Sequence, residues 1–521
     1  MSLEDENKNP PDSGPETFDT SDEKVGTDEW VSQVEGRTSG RSGFFGQIID
    51  RWEAIPLTGR YTLVILLAFI FPIISGTDAV LSASGISNNA FLLRTGVRFL
   101  TFAILAIGLN VVVGYAGLLD LGYIAFMGIA GYLYAYMSSE FIQIPNVIPY
   151  GLAIPAVISI PIIVLIVAAI GWGIGAVSIR LAGDYLAIVT LGFGQVFIQL
   201  ALTATRVKVP GYDRPVDFTR GPNGINGIDD VSLFGFTFES TQHYYYLLLV
   251  LLIVVYLVVH HLNQSRIGRS WRAIREDELA AEVMGMPTRR LKLSAFAIGA
   301  GIAALAGAVD VAFQGNVVPN PRYSILTLIN LYAMMVLGGT ASLPGAIIGA
   351  FIFTVLPEVL RNPTLAGILV YGGLIIGLIY LLQPWGRLLK VMGGTIAAGF
   401  AAKLLINLVA PVLDSGFPEA PSILNKVIQG WLIIPQNYEL VGNVIAILAV
   451  FALLACILLR ERPGWHYSLL GLSVYMFAFA WETRFSVEPA ATRILIIGVT
   501  LVILMVVRPQ GLLGKAEVKV I

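Results

Sequence analysis

From Arg60 onward the chain is a succession of apolar runs, most of them about 17 to 25 residues long, the length that carries an α-helix across a bilayer, and some short or interrupted by glycine. They fall near 60–82, 91–113, 118–137, 148–177, 185–204 and 244–261, then near 293–314, 324–337, 344–360 and 365–382, and finally near 391–412, 440–459, 465–481 and 493–507. This pattern predicts an all-α, polytopic integral membrane protein with about fourteen transmembrane helices.

The polar interruptions fix its orientation. Between two spans, SRIGRSWRAIREDELAAEVMGMPTRRLK carries Arg266, Arg269, Arg272, Arg275, Arg289, Arg290 and Lys292. A short loop this rich in Arg and Lys stays in the cytoplasm. Arg180, Arg387 with Lys390, Arg460 with Arg462, and Arg508 with Lys515 then fall on inner ends, and an even number of crossings places both termini inside. Residues 1–40 are acidic and almost free of apolar side chains, which predicts a disordered cytoplasmic tail, followed at 42–55 by an amphipathic interfacial helix or a plain linker. The longest outer loop, 205–242, carries the turn-rich GPNGING at 221–227, which suits a compact cap or a docking surface.

Composition agrees. Of 521 residues, 56% are hydrophobic and 13% charged, and glycine is abundant at 54, as transmembrane helices tolerate. The net charge of −2 conceals an acidic start: residues 1–35 hold eleven acidic and two basic side chains. One cysteine, Cys456, excludes a disulfide framework, and four histidines without HExxH exclude a recognisable zinc set. No GxxxxGK[ST] phosphate loop occurs, and no cofactor is expected.

Two stretches carry candidate function. In the basic loop, Leu279-Ala280-Ala281 followed by the helix-ending Gly285 gives a short helix with small side chains. A partner's groove would close on it, with charged neighbours fixing its orientation; an ordinary basic loop that only sets topology explains the same residues. Within the spans, Asn110 to Gly117 and Gly192 to Gly194 are dense in glycine, which allows close packing or a local break facing a water-filled path. Asn110, Gly114, Gly117, Asp120, Gly122, Tyr123, Gly192 and Gly194 are the path candidates. Asp120, near the inner end, is expected to be a solvated carboxylate at the mouth, and Asp310, Gln314 and Asn316 to reach water at the outer end without a special role.

GLNVVVGYAGLLDLGYIAFMGIAGY (108–132), IRLAGDYLAIVTLGFGQV (179–196), GPNGINGI (221–228), SRIGRSWRAIREDELAAEVMGM (265–286), VLGGTASLPGAIIGAF (336–351) and VRPQGLLG (507–514) together resemble the LivM-type permease subunit of branched-chain amino acid ABC transporters. The segments stand in the family's order. The resemblance implies an inner-membrane, multi-pass permease that moves branched-chain amino acids without being an enzyme. Its implied partners are two cytoplasmic ABC ATPases, a second, LivH-like permease and an extracytoplasmic substrate-binding protein, with no nucleic acid. It also assigns Arg275, Asp277, Ala280, Ala281 and Gly285 to ATPase coupling, with Leu279 where the broader pattern has Glu. Two readings stand beside it: a urea or short-amide ABC permease, and a secondary, ion-coupled amino acid transporter.

The chain departs from that family in two places. LDLGY puts Asp120 and Tyr123 where a small hydroxyl residue and His or Gln are expected. The chain is also longer, and LVYGGLIIGLIYLLQPWGR (369–387) resembles LIIGVTLVILMVVRPQG (495–511), so the closing element occurs twice. The expected divisions are a tail at 1–56, a permease core at 57–382 with its coupling loop at 262–292, added transmembrane segments at 383–492, and the repeated closing helix with the cytoplasmic C-terminus at 493–521. About ten helices are then family-like.

Overall fold

The computed structural model describes residues 57–75, 89–139, 154–178, 184–208, 216–361 except 234, 363–382, 385–409, 423–458, 463–485, 511–514 and a few single positions. The expected tail, its interfacial helix and most of the last predicted span lie outside these residues. Contacts divide the chain into Met1–Ala68 and Phe69–Ile521. In the first, α1 (Leu57–Ile74) begins; everything below concerns the second.

Its described helices are α2 (Asn89–Leu109), extended by a π-helix (Asn110–Tyr115), then α3 (Tyr123–Ser138), α4 (Ala156–Ser178), α5 (Asp184–Thr203) and α6 (Thr241–Gln264). Two short helices, α7 (Arg266–Glu276) and α8 (Glu278–Val283), lead into α9 (Thr288–Gln314), α10 (Ile325–Gly338), α11 (Leu343–Val359) and α12 (Pro363–Leu381). Beyond these come α13 (Trp385–Val409), α14 (Ile423–Trp431), α15 (Tyr438–Leu458), α16 (Pro463–Ala480) and a second π-helix (Trp481–Phe485). The protein is an all-α polytopic membrane protein. Among the described residues, six helices are long and apolar enough to cross a bilayer: α2 with its π extension, α4, α5, α6, α9 and α13. Shorter apolar stretches of 10–17 residues fall in α1, α10, α11, α12 and α15. Gly and Pro cut several runs short: α10 and α11 have 14 and 17 residues and meet at a tight turn, against the ~20 that a full crossing needs.

The core is organised around α9, which packs on α3, α4 and α2. Its run of Ala and Gly between Gly299 and Ala308 is almost entirely buried, because small side chains let helix backbones approach closely where lipid supplies no hydrophobic drive. At one end of the bundle, residues 216–240 form a compact cap. Ile225–Asn226 (β1) pairs antiparallel with Asn316–Val317 (β4), and Ser232–Leu233 (β2) with Phe236–Thr237 (β3). The Tyr244 hydroxyl ties the cap down by donating to Asp230 Oδ1 at 2.9 Å while accepting from Val231 N at 3.1 Å.

Past α12, a further layer has its own centre. The buried Glu482 carboxylate accepts from Asn425 Nδ2 at 2.9 and 3.1 Å, from Gln429 Nε2 at 3.2 Å and from the Tyr371 hydroxyl at 2.9 Å. Nearby, Lys403 pairs with Asp414 at 3.4 Å and donates to the carbonyls of Gln429 and Leu432. Helix α14, absent from the hydropathy pattern because it has only nine residues, carries Asn425 and Gln429 to this cluster.

Candidate functional site

The basic loop folds into a braced hairpin. Asp277 ends α7 and caps α8 by accepting from Ala280 N at 3.0 Å, the usual work of an N-terminal Asp. Trp271 is fully buried and donates its indole N–H to Leu291 O at 2.8 Å. Lys292, at the start of α9, pairs with Glu278. After α8, Gly285 takes φ +79°, and Met286 N returns to Ala281 O at 3.1 Å, the left-handed ending expected of this glycine. A loop with these bonds moves as one body.

Its exposed face is not the expected one. Ala280 is exposed, but Ala281 is 4% exposed and packs inward. The outward side chains are Leu279, Val283 and Met284, at 75%, 87% and 79% exposure. The reason is helical spacing: Leu279 and Val283, four apart, share a face, whereas Ala281, two positions from each, lies opposite. That i, i+4 apolar pair was the signal in the sequence that the small-residue reading passed over.

Arg275 joins this hairpin to the first group of path candidates. Its Nη1 donates to Gly114 O at 2.7 Å, and a side chain at Gly117, where φ is +70°, would come within 2.9 Å of Arg275 Cγ. Gly114 lies in the π-helix, a wide turn in which Ala116 N bonds Val111 O; such bulges loosen a helix locally and recur at functional positions. Asn110, fully buried, fastens the bulge by accepting on Oδ1 from Ala341 N at 2.9 Å. Ala341 sits at φ +60° in the turn between α10 and α11, and any Cβ at Gly114 would collide with the Asn110 side chain. From the other side, Leu512 N and Leu513 N donate to Leu337 O and Gly338 O, both at 2.9 Å, so residues 511–514 clamp the same turn.

The second group meets where α3, α5, α9 and α10 approach. Asp120 is 1% exposed, not solvated as expected. Its Oδ1 accepts from Gly122 N at 2.9 Å in a turn that starts α3, its backbone carbonyl accepts from the Tyr332 hydroxyl at 2.6 Å, and its Oδ2 has no hydrogen-bond partner. Burial follows from the break itself: the turn folds the carboxylate back over its own backbone, and α5 covers it, with Thr190 Oγ1 accepting from Leu121 N at 2.9 Å. The Tyr123 hydroxyl donates to Gly299 O at 3.2 Å. A Cβ at Gly194 would stand 3.5 Å from Gly122 Cα. Gly192 is exposed with open space around it and stands apart from the group. Among the described residues, no cluster of His, Cys, Asp or Glu is arranged to hold a metal ion.

A bundle of apolar helices with a buried polar joint, linked to a rigid charged hairpin at one end, has the form of a transport permease. Comparison with known proteins gives the family: residues 91–383 match the branched-chain amino acid transport system / permease component family, and the chain belongs to it. It is similar to the high-affinity branched-chain amino acid transport system permease protein LivM of Escherichia coli K12, at 36% identity over 310 residues, covering 55% of this chain and 67% of that protein. It is also similar to BraD of Pseudomonas aeruginosa (27% over 274 residues, 49% of this chain and 80% of that one) and to LivH of Salmonella typhimurium (27% over 258 residues, 49% and 80%). No solved structure matches the chain. The protein is a multi-pass plasma-membrane permease subunit of an ABC import system, not an enzyme, and ATPase, binding-protein and paired-permease partners go with that membership.

Proposed function

We propose that this chain pairs with one LivH-like permease to form the membrane path for branched-chain amino acids, and that two ATPases drive it by docking on α8 from the cytoplasm. The observation that carries the reading is the face made by Leu279, Val283 and Met284. Three large apolar side chains held outward on a rigid, charged hairpin, at the end of the bundle that the basic loop places in the cytoplasm, suit a protein groove.

On this reading, closure of the ATPases displaces α8. Because Trp271 and Lys292 brace the hairpin, the displacement reaches Arg275 undiminished and acts on the Gly114 carbonyl. The π-bulge absorbs a rotation that a regular helix would resist, and the Asn110–Ala341 bond carries it to the turn between α10 and α11. Asp120, Gly122 and Tyr123, at the neighbouring break, then see their packing against α5 and α9 change. Residues 57–382 make up this permease core. Residues 383–492 are an accessory segment centred on Glu482, which the Tyr371 hydroxyl on α12 ties to the core; the family match ending at 383 supports that division.

The test is purification of the tagged protein in mild detergent, followed by uptake into proteoliposomes. Two ATPases and a second permease are expected to accompany the wild type and to be lost from a Val283→Asp, Met284→Asp variant. A protein that purifies alone and moves amino acids under an ion gradient without ATP is a secondary transporter. ATP-driven uptake of urea or acetamide, but not leucine, assigns the other ABC substrate class.

A further inference from the structure

The opposite end of the bundle, extracytoplasmic in the orientation proposed above, contains a cavity of about 1440 Å³ between α2, α9, α10, α11 and the cap. Its wall brings together charges that lie far apart in the chain. Asp310, 7% exposed on α9, pairs with Arg322 Nε at 3.5 Å and accepts from Gln314 Nε2 at 3.1 Å. Arg98 lines the same cavity and lies close enough to act on the Asp310 carboxylate. It is exposed along α2, about 14 Å from the helix start at 1.5 Å per residue. An arginine at that depth faces water or protein and not lipid. Thr354, on α11, is 6% exposed, lines the cavity and leaves its hydroxyl without a hydrogen-bond partner. The wall also holds Arg94, Asp230, Glu239, Glu358 and Arg361, and Met127, Met334 and Phe353 form a buried apolar patch within it.

We propose that this cavity is a binding station for a zwitterionic α-amino acid, whose ammonium is held by Asp310, whose carboxylate is held by Arg322 and Arg98, and whose apolar side chain lies against Met127, Met334 and Phe353. The proposal rests on the permease reading and adds where, and by what chemistry, the substrate is recognised. The Asp310–Arg322 pair supplies one charge of each sign to the site. An entering zwitterion replaces one ion pair by two, so every buried charge stays compensated before, during and after passage. A ligand with only one charge, or none, opens the pair without compensating both halves and is rejected. The Thr354 hydroxyl gains the partner it lacks from the ligand carboxylate.

The experiment is ATP-driven uptake of labelled leucine by the complete complex, with its ATPases and saturating binding protein, in proteoliposomes. Asp310→Asn and Arg322→Gln are expected to lower the rate at least tenfold, and Arg98→Gln and Thr354→Val severalfold, with the ATPases still co-purifying. The charge exchange Asp310→Arg with Arg322→Asp is expected not to restore the rate; if it does, the pair is only structural and the proposal falls. Should Asp310→Asn or Arg322→Gln fail to reach the membrane, Arg98→Gln and Thr354→Val decide, since neither breaks the ion pair, and wild-type rates in both overturn the site. Failure of the wild-type complex to move leucine at all would instead strike at the permease's assigned substrate.

Discussion

The guanidinium of Arg275 lies 2.7 Å from the carbonyl oxygen of Gly114, a bond between the charged hairpin and the loosened turn of a membrane helix. A charge-assisted hydrogen bond of this kind contributes on the order of 1.5–3 kcal/mol. Arg275→Gln removes the charge. It is expected to lower ATP-driven uptake about tenfold while the ATPases still bind and hydrolyse ATP; parallel assays of uptake and hydrolysis on one preparation separate the two. Equal losses in both would make Arg275 a docking residue and not a transmitter.

Ala281 and Val283 should respond in opposite ways to substitution. Because Ala281 packs inward, Ala281→Leu overfills its site at a cost of about 1–3 kcal/mol, to be read as a lower melting temperature of the purified protein. Val283→Asp lies on the exposed face and should leave that temperature unchanged while abolishing ATPase co-purification.

Gly114→Ala is expected to stop uptake, since the added methyl group cannot fit beside the Asn110 side chain. Asn110→Leu should act at the same joint by leaving the Ala341 N–H unpaired, at about 1–3 kcal/mol. If the two act through one contact, the double variant will be no worse than the poorer single one, which uptake rates of all three determine.

In the accessory segment, Glu482→Ala leaves the donors of Asn425, Gln429 and Tyr371 facing a void. A melting temperature several degrees lower is expected, with Glu482→Gln retaining part of the difference. Unchanged melting in both variants would show that water replaces the carboxylate and that this centre does not stabilise the segment.

Much of this was legible in the chain because hydropathy and charge act locally. Apolar runs gave most helices to within a few residues, and Gly285 announced its left-handed turn. The glycine density after Asn110 pointed to a broken helix, though not to a π-bulge, which depends on the remote Ala341 amide. Asp120 misled because an acid near a helix end is usually wet, and only the packing of α5 reveals that it is covered. Ala281 misled for the reverse reason: residue size was weighed where helical phase decides. Arg94 and Arg98 were passed over because a span tolerates arginine only when the fold supplies a cavity, and that cavity comes from α9, α10 and α11, which lie far along the chain.

The clamp of Leu512 and Leu513 on the turn at Leu337 and Gly338 has a consequence for biogenesis. A ribosome delivers these residues only after everything between Gly338 and Gly511 has been made, so the joint stays unlocked throughout synthesis of the helices in between. Any insertion accepted between them must bring the chain back to the same side of the bilayer, which restricts such additions to an even number of crossings. Length can thus be gained there only in helix pairs.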